Sequence, residues 1–284
     1  MPTNKNIKIA AIVITYYPKV DEAIRNIRQY IAGVDHLIIW ENTPLPEREK
    51  YRMEIPEYQH KITYKSVDKN SGIAYPINQC VSWAKQNDYT HILSMDQDSY
   101  WENFEDFVQS VSNYPENSQT VMVPNINREY KDYSQETAIR DHAITSGSLW
   151  PLNLIDQIGL FDEGLFVDAV DTDYSMRVYR QGYKIVIFVN SHLFQHFGYP
   201  KESKWLNIGS SNYSAIRTYG IIKNHLILWR RYGKDLPFWM KKQILRGFIF
   251  YRLIKIVLIE NDKFKKISAI FRGIFDGIRK PIYN

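Results

Sequence analysis

Two carboxylates stand close together in the stretch HILSMDQDSYW, residues 91–101. An apolar run from Ile92 to Met95 ends in Asp96, one spacer residue and Asp98. In an extended segment, side chains at positions i and i+2 point to the same face, so these two carboxylates would share one small volume. Like charges that close repel unless a positive charge lies between them, and hard divalent cations prefer carboxylate oxygens. The spacing predicts a metal or phosphate site; the plain alternative is a strand that ends in turn residues.

A second acidic group lies in FVDAVDTDYSMR and contains Asp168, Asp171 and Asp173. If Asp171 opens a helix, its carboxylate could simply cap that helix, and an acidic first turn suits the helix dipole. The functional alternative is a general base beside an acceptor hydroxyl group. Arg177 follows Asp173 by about one turn and is placed to pair with it.

Two histidines, His192 and His196, lie in the stretch NSHLFQHFGYP. A lone histidine in a protein is usually a structural residue. Imidazole is also a common metal ligand, and QHFG follows the acidic group in the chain. His196 is therefore a candidate third metal ligand beside Asp96 and Asp98.

Length and composition are those of a soluble globular protein. The 284 residues suffice for one large domain, or for one domain with an appendage. Cys80 is the single cysteine, so no intrachain disulfide can form, which fits a reducing compartment. The N-terminal stretch lacks the apolar core of a signal peptide, and no apolar run approaches the length of a membrane span. We therefore expect a cytoplasmic protein.

The basic charge of the chain is concentrated in its last part. Residues 234–284 contain twelve Lys and Arg against four Asp and Glu, whereas the preceding residues are slightly acidic. Such an excess suggests an anionic partner, and no nucleic-acid motif accompanies it, which leaves a membrane surface. At 100° per residue, one half of a helix between Phe238 and Lys263 would be basic. That half comprises Lys241, Lys242, Arg246, Arg252, Lys255 and Lys263. A helix packed on its own domain or across a homodimer is the alternative.

The first part of the chain alternates strands with helices. Predicted strands lie at 7–17, 35–44, 61–68, 90–98 and 119–127, and predicted helices at 21–33 and 73–88. This alternation is typical of a mostly parallel sheet with helices on both faces. Ligands of such sheets bind at the carboxyl ends of the strands, where Tyr16, Tyr17, Glu41, Asn42 and the Asp96–Asp98 pair would lie.

The ordered motifs resemble the inverting glycosyltransferases of family 2, which have the GT-A fold. The stretches IVITYYPK, WENTP, NSGIAYPINQCVSWA and SMDQDS resemble the nucleotide side of that family, and the last is similar to its D-x-D metal motif. The block from SGSLWP to VYRQGY, then HFG and YSAIRTYGIIKNHLILWRRYG, resemble its acceptor side. The resemblance covers residues 7–233. The forms DQDS and VDTDY look most like the bacterial rhamnosyltransferases, and Glu41 departs from the family, which more often has Asp there.

The resemblance implies a Rossmann-like GT-A domain at 1–205 and a basic, helical, membrane-associating region at 206–284. It implies Asp171 as the catalytic base and Asp96, Asp98 and His196 around Mg²⁺ or Mn²⁺. Implied contacts to the nucleotide sugar are Thr15, Tyr16, Tyr17, Glu41, Asn70, Gly72, Asn78 and Asp96. Implied acceptor-side residues are Trp150, Asp168 and Asp173.

The resemblance also implies the reaction and its setting. The donor would be a nucleotide sugar, with dTDP-rhamnose the first choice and a UDP-hexose or UDP-galactofuranose still open. The acceptor would be a saccharide or a lipid-linked saccharide in bacterial cell-surface polysaccharide synthesis. The protein would then work in the cytoplasm, peripheral on the inner face of the cell membrane.

Three other functions fit the sequence less well. A nucleotidyltransferase would want a glycine-rich phosphate loop after the first strand, and TYYPKVDEA contains no glycine. A phosphatase of the haloacid-dehalogenase type would carry its D-x-D-S motif after the first strand of the domain, whereas several βα units precede it here. A non-catalytic, membrane-associated sugar-nucleotide binder would keep the pocket and need no base, so the presence of both Asp98 and Asp171 argues against it.

Overall fold

The computed structural model describes residues 7–195, 201–203 and 208–281. The chain divides into two compact units. Unit 1 comprises residues 1–163 and 174–196, and unit 2 comprises residues 164–173 and 197–284.

Unit 1 is built on a nine-stranded sheet. Its strands are β1 (Ile9–Thr15), β2 (His36–Glu41), β3 (Ile62–Ser66), β4 (His91–Asp96), β5 (Ser99–Glu102), β6 (Thr120–Ile126), β7 (Thr137–Arg140), β8 (Leu149–Pro151) and β9 (Lys184–Gln195). The strand order is β3-β2-β1-β4-β8-β6-β9-β5, with β7 paired to β9. Strands β3, β2, β1 and β4 run parallel, as do β6 and β9, whereas β5, β7 and β8 pair antiparallel. The predicted mostly parallel α/β sheet is confirmed.

Helices cover both faces of this sheet. They are α1 (Val20–Arg28), α2 (Leu45–Arg48), α3 (Ala74–Gln86), α4 (Phe104–Asn113), α5 (Leu152–Ile158) and α6 (Val170–Arg180), the last of which begins in unit 2. Short 3₁₀ turns lie at Ile31–Gly33, Glu49–Tyr51, Pro56–Lys61, Asn117–Gln119 and Glu163–Leu165. Alternate residues of β1, from Ile9 to Val13, pack with α1 and α4 in one core cluster. Ala10 and Ile12 are also fully buried, as expected of a strand covered on both faces.

Unit 2 is mainly helical. It contains the hairpin strands β10 (Lys201–Ser203) and β11 (Ile208–Ser210), helix α7 (Ala215–Tyr232), a 3₁₀ turn (Gly233–Asp235), α8 (Phe238–Lys242), a π-helix (Gln243–Tyr251), α9 (Arg252–Leu258) and α10 (Lys263–Arg279). Ser214 caps α7 by accepting a hydrogen bond from the Arg217 backbone N–H, at 3.2 Å. None of the described helices is long and apolar enough to span a bilayer. The predicted boundary between 205 and 206 stays a prediction.

The predicted basic helix between Phe238 and Lys263 needs correction. Its middle part is a π-helix, which turns through less than 100° per residue, and α9 ends at Leu258 before a new helix begins. Arg252, predicted to be on the basic face, is only 9% exposed. It donates to the fully buried Glu260 at 2.8 Å and to Thr218 Oγ1 at 2.9 Å. Arg252 therefore neutralises a buried carboxylate and is not part of a lipid-facing surface.

Gly147 lies where strands β4, β6 and β9 come close together. Its backbone N–H donates to the Ser94 carbonyl at 2.7 Å, and its φ of +79° lies in the left-handed region. A Cβ at this position would lie 2.6 Å from Leu193 Cδ2 and 3.0 Å from Pro124 Cγ. Glycine is therefore required here both for conformation and for space.

We predict that Gly147→Ala destabilises unit 1 more than Gly182→Ala does. Gly182 has a similar φ of +77° but nothing within 4 Å of an added Cβ, so it serves as the matched control. The control should lose about 1–2 kcal/mol from left-handed strain, and Gly147→Ala about 1–3 kcal/mol more from overpacking. Urea unfolding followed by tryptophan fluorescence measures both. Equal losses in the two variants would contradict the packing argument.

Candidate functional site

Three polar residues lie along one edge of the unit 1 sheet because of the strand register. Thr15 at the end of β1 is paired with Glu41 at the end of β2, and Ile14 is paired with Asp96 at the end of β4. Parallel strands bring their carboxyl ends to one edge, where α/β proteins bind their ligands. Thr15, Glu41 and Asp96 are all predicted to contact the nucleotide-sugar donor. The structure brings these three residues to the same edge of the sheet.

Asp96 is the last residue of β4, and Gln97 and Asp98 form the turn that leads into β5. The predicted alternation along a continuous strand is wrong at this point, because the chain turns before Asp98. Both carboxylates still belong to one short turn at the strand end. The Asp96 backbone N–H donates to Ser146 Oγ at 3.1 Å, and Asp96 Oδ2 accepts from Gln195 Nε2 at 2.5 Å. Gln195, which precedes His196 and was not itself a predicted site residue, therefore orients the first carboxylate.

The spacer Gln97 fixes the position of Tyr16. The Tyr16 backbone N–H donates to Gln97 Oε1 at 2.7 Å, and Gln97 Nε2 donates back to the Tyr16 carbonyl at 3.2 Å. Asn26 in α1 donates to the Gln97 carbonyl at 3.1 Å. This two-point contact ties the segment after β1 to the carboxylate turn after β4. The sequence predicts a role for the two neighbouring acids, Asp96 and Asp98, and none for Gln97.

Tyr16 and Tyr17 form an aromatic rim after β1. Tyr16 is 47% exposed, and the two rings meet edge to face with centroids 4.6 Å apart. Tyr17 has a left-handed φ of 46°, and its hydroxyl donates to Glu47 at 2.8 Å, which raises the pKa of Tyr17 to about 12. An exposed ring held by its backbone is a surface on which a nucleobase can stack.

Glu41 and the loop of residues 70–72 lie beside the end of β2. Partial burial raises the pKa of Glu41, although Arg48 opposes that shift. The buried Asn42 donates to the Gly72 carbonyl at 2.7 Å and accepts from the Ser71 backbone N–H at 3.0 Å. Asn70 Oδ1 accepts from the Gly72 backbone N–H at 2.9 Å. Asn42, a strand-end residue without a predicted role, thus holds Ser71 and Gly72 against the end of β2, and Asn70 contacts Gly72 in turn.

Thr15 and Asn78, two predicted contacts to the nucleotide sugar, use their side chains in structural roles. Thr15 is 2% exposed and its hydroxyl donates to the Trp40 carbonyl at 3.2 Å. Asn78 is 3% exposed and uses its amide hydrogens on the Phe161 carbonyl at 3.0 Å and on Glu163 Oε1 at 2.8 Å, while its oxygen accepts from the Phe161 backbone N–H. These bonds occupy the side-chain groups of both residues, so the structure does not offer these side chains to a nucleotide.

Trp150 is also a core residue rather than a sugar platform. Its side chain is fully buried, and its Nε1–H donates to Ser94 Oγ at 2.8 Å. The ring packs edge-on against Phe161 and Tyr174, with centroids 5.2 Å away in each case. No face of this ring is open to a saccharide, which corrects the predicted acceptor contact.

The carboxylate oxygens at the turn after β4 are suitable ligands for a hard divalent cation. Asp96 and Asp98 supply carboxylate oxygens, and Mg²⁺ is commonly bound by one or two carboxylates together with substrate phosphates and water. Within the described part of the chain, no group of three or more His, Cys, Asp or Glu residues could hold a metal. The predicted ligand His196 lies outside the described residues. His192 contacts Glu102 Oε2 at 3.1 Å.

The three acids of unit 2 differ in their surroundings. Asp173 is 1% exposed; its Oδ1 accepts from Arg231 Nη1 and from the Tyr232 hydroxyl, each at 2.6 Å. Asp168 accepts from Arg217 Nε at 3.3 Å and Nη2 at 3.2 Å. Its burial raises the pKa of Asp168, and the Arg217 charge opposes that rise. Asp173 is thus a buried structural acid whose described partners are Arg231 and Tyr232, where the sequence had suggested Arg177.

Asp171 lies in the first turn of α6 and is only partly buried. Its Oδ1 accepts from the Thr172 backbone N–H at 2.8 Å, which matches the predicted helix start. The residues before it are conformationally unusual, since Phe166, Asp168 and Ala169 all have a φ between 58° and 70°. Non-glycine residues in that region carry strain, and such strain clusters at functional sites.

Asn224 in α7 holds this strained segment in place. Its Nδ2 donates to the carbonyls of Val167 at 2.8 Å and Asp168 at 3.0 Å, and also to the Leu165 carbonyl. A fully buried amide that contacts three carbonyls of one loop fixes the backbone just before Asp171. The only sequence indication for Asn224 is that its helix, in the stretch YSAIRTYGIIKNHLILWRRYG, resembles the acceptor side of the glycosyltransferase family.

Comparisons with known proteins find similar sequences and folds. No family model matches the chain. The dTDP-rhamnosyl transferase RfbF of Shigella flexneri is 21% identical over 295 residues, covering 96% of each chain.

Solved glycosyltransferase structures share the fold. A crystal structure of GalNAc-T7 with UDP, GalNAc and Mn²⁺ aligns with 98% of this chain and 57% of its own, at a TM-score of 0.62 and 9% identity. The structure of S. aureus TarS aligns over 97% of this chain and 49% of the TarS chain, with a TM-score of 0.57 and 18% sequence identity. The mannosyltransferase PcManGT from Pyrobaculum calidifontis was solved in complex with GDP-Man and Mn²⁺. It aligns over 96% of this chain and 76% of the PcManGT chain, with a TM-score of 0.57 and 12% sequence identity. These likenesses confirm the GT-A fold and the recognition of a chain similar to the bacterial rhamnosyltransferases.

Proposed function

We propose that this glycosyltransferase of the GT-A fold transfers a sugar, with inversion, from a nucleotide-sugar donor to a hydroxyl group of a saccharide or lipid-linked saccharide. The observation that carries the proposal is the carboxylate turn after β4, at the same sheet edge as the aromatic rim after β1. L-Rhamnose from dTDP-rhamnose is the first choice of donor. The rhamnosyl transferase from Shigella flexneri supports that choice because the likeness extends over 96% of both chains.

The nucleotide part of the donor would bind at the ends of β1 and β2. Tyr16 offers an exposed ring for the nucleobase, and Tyr17 lies beside it. Glu41 offers a half-buried carboxylate to a donor group of the base or ribose, and the loop of residues 70–72 lies beside it. Thr15 and Asn78 contribute indirectly, by holding the strands and loops that position these contacts.

Asp98 and Asp96 would hold Mg²⁺ or Mn²⁺, with Asp96 also near the ribose and His196 as a further ligand. When bound, such an ion neutralises the negative charge that develops on the departing diphosphate. Gln195 keeps Asp96 oriented through its hydrogen bond to Oδ2. The GalNAc-T7 and PcManGT structures contain Mn²⁺, which supports a divalent cation here.

Asp171 would take the proton of the acceptor hydroxyl as its oxygen attacks the anomeric carbon. Asp173 is buried between Arg231 and Tyr232, and Asp168 accepts hydrogen bonds from two nitrogen atoms of Arg217. Asp171 and Asp168 are both partly buried, whereas Asp173 is 1% exposed. A base needs access to its substrate, which disfavours Asp173, and the resemblance of VDTDY to the base motif of the family selects Asp171.

The basic excess of unit 2 also bears on where the reaction takes place. A lipid-linked acceptor of cell-surface polysaccharide synthesis is presented at the inner face of the cell membrane. We place the protein in the cytoplasm, peripheral on that face, because its basic excess lies in unit 2. Light scattering tests whether the protein forms a homodimer.

We predict that dTDP stabilises the protein more than UDP or GDP does in the presence of Mn²⁺. A ligand that binds only the native state raises the apparent stability in proportion to its affinity. A thermal-shift series with each nucleotide at the same concentration measures the order, and EDTA serves as the control for the metal. A larger shift with UDP would move the donor to a UDP-hexose or UDP-galactofuranose. No shift with any nucleotide would overturn the donor proposal.

We predict that Asp171→Asn and Asp173→Asn fail in different ways. Asp171→Asn should keep its melting temperature and its dTDP affinity, and should lose turnover by about 10²–10⁴-fold, as expected for a missing general base. Asp173→Asn leaves Arg231 without its buried counter-charge and should lose about 3–5 kcal/mol of stability. Transfer rate, nucleotide binding and unfolding are measured on both. A folded Asp171→Asn enzyme with wild-type turnover would remove Asp171 from the mechanism.

A further inference from the structure

Helix α10 of unit 2 carries a stripe of exposed apolar side chains. Phe264 is 91% exposed, Phe271 64%, Phe275 54% and Ile278 56%. At 100° per residue these four positions fall within an arc of about 60° along the whole helix. A contiguous apolar stripe of this length on a surface marks an interaction site. We call it the phenylalanine stripe.

The opposite side of α10 is packed tightly against α7, which fixes the direction of the stripe. A Cβ on Gly273 would lie 3.1 Å from Ile222 Cβ, and a Cβ on Gly277 would lie 2.8 Å from Leu226 Cβ. The buried residues of α10 all lie on this side and are Lys266, Ala269, Ile270, Gly273 and Gly277. The helix cannot rotate to bury the stripe without separating from α7.

A basic stripe runs directly beside the apolar one. Lys265, Arg272 and Arg279 are spaced seven residues apart, so they line up along α10, and all three are exposed. The Arg279 guanidinium lies 4.2 Å from the centroid of the Phe275 ring, where its charge can stay at the edge of an apolar surface. The helix thus presents aromatic rings and cations side by side over its full length.

Two other basic residues of the tail, Arg252 and Lys266, are paired with one carboxylate inside unit 2. Lys266 Nζ donates to Glu260 Oε2 at 2.8 Å, and Arg252 donates to the other oxygen of the same carboxylate. Asp276, the acid of α10, accepts from the Tyr219 hydroxyl at 2.5 Å. Arg252 and Lys266 are therefore not available to an external partner, unlike the exposed Lys265, Arg272 and Arg279.

We propose that the phenylalanine stripe docks α10 on an anionic lipid surface. The rings and Ile278 would enter the boundary between headgroups and acyl chains, and Lys265, Arg272 and Arg279 would meet the lipid phosphates. An antiparallel two-fold contact between two copies of this stripe would bring identical basic rows together, so the charge pattern favours lipid over that contact. The inference deepens the peripheral location within the proposed function, and moves the binding helix from 238–263 to α10.

Vesicle sedimentation tests the docking surface. The full chain should bind vesicles of equal parts phosphatidylcholine and phosphatidylglycerol, and bind phosphatidylcholine vesicles far less. Phe264→Ser with Phe271→Ser should weaken binding about tenfold or more through lost apolar burial. Lys265→Glu with Arg272→Glu should weaken it by a similar factor, on the anionic vesicles only. Added salt should weaken the wild type and leave the charge variant nearly unchanged.

Matched controls lie in unit 1. Tyr133→Ser with Ile139→Ser removes two exposed apolar side chains, and Lys50→Glu with Lys131→Glu reverses two exposed charges. Both controls should bind as the wild type does. Wild-type binding by the α10 variants, or no binding by the wild type, would overturn the proposal. So would light scattering that shows a dimer broken by the phenylalanine variant while vesicle binding is unchanged.

The same variants keep this inference separate from the donor assignment. The α10 side chains that are changed lie outside the residues assigned to the nucleotide, so dTDP should raise the melting temperature of every folded variant. If vesicle binding follows the expected order while no nucleotide stabilises any variant, the lipid surface stands and the donor assignment fails. If dTDP stabilises all variants while vesicle binding ignores α10, the lipid surface fails alone.

Discussion

The parallel register of β1, β2 and β4 is the constraint on which the donor side of this protein depends. Pairing Thr15 with Glu41 and Ile14 with Asp96 brings three strand ends to one edge of the sheet. Hydrogen bonds between Gln97 and Tyr16 then lock the carboxylate turn to the aromatic rim. A slip of one residue in either pairing would send every side chain of that strand to the opposite face. The buried apolar strands are therefore as necessary to the site as its polar residues.

Unit 2 depends on buried charges that are paired inside the protein. Asp173 contacts Arg231 and Tyr232, and Glu260 is held by two cations. Removing one partner of such a pair leaves a charge without compensation in a poorly solvated place, which costs more than any exposed ion pair contributes. Asp173 and Glu260 therefore have structural roles, and the two cations that hold Glu260 are not part of the exposed basic row of α10.

Hydrophobic runs and strand-end polar residues predicted most of the parallel sheet and the carboxylate turn, because those features are local in sequence. The short strands β5, β7 and β8 were not predicted, since three or four residues give no periodic pattern. The roles of Asn78 and Trp150 were also missed: both residues match family motifs, but partners more than fifty positions away in the chain hold them in the core. Gln195 and Asn224 act through similarly distant contacts, which one sequence does not reveal.

The most direct test of this account is calorimetric binding of dTDP, with Mn²⁺ and with EDTA, to the wild type and to Asp98→Asn. Asp106→Asn changes an exposed acid of α4 in the same unit and is the matched control. If the carboxylate turn holds the cation that meets the diphosphate, the wild type and the control bind dTDP more tightly with Mn²⁺. Asp98→Asn should then bind with one low affinity in both conditions and keep its melting temperature. Wild-type, Mn²⁺-dependent affinity in Asp98→Asn would contradict the account.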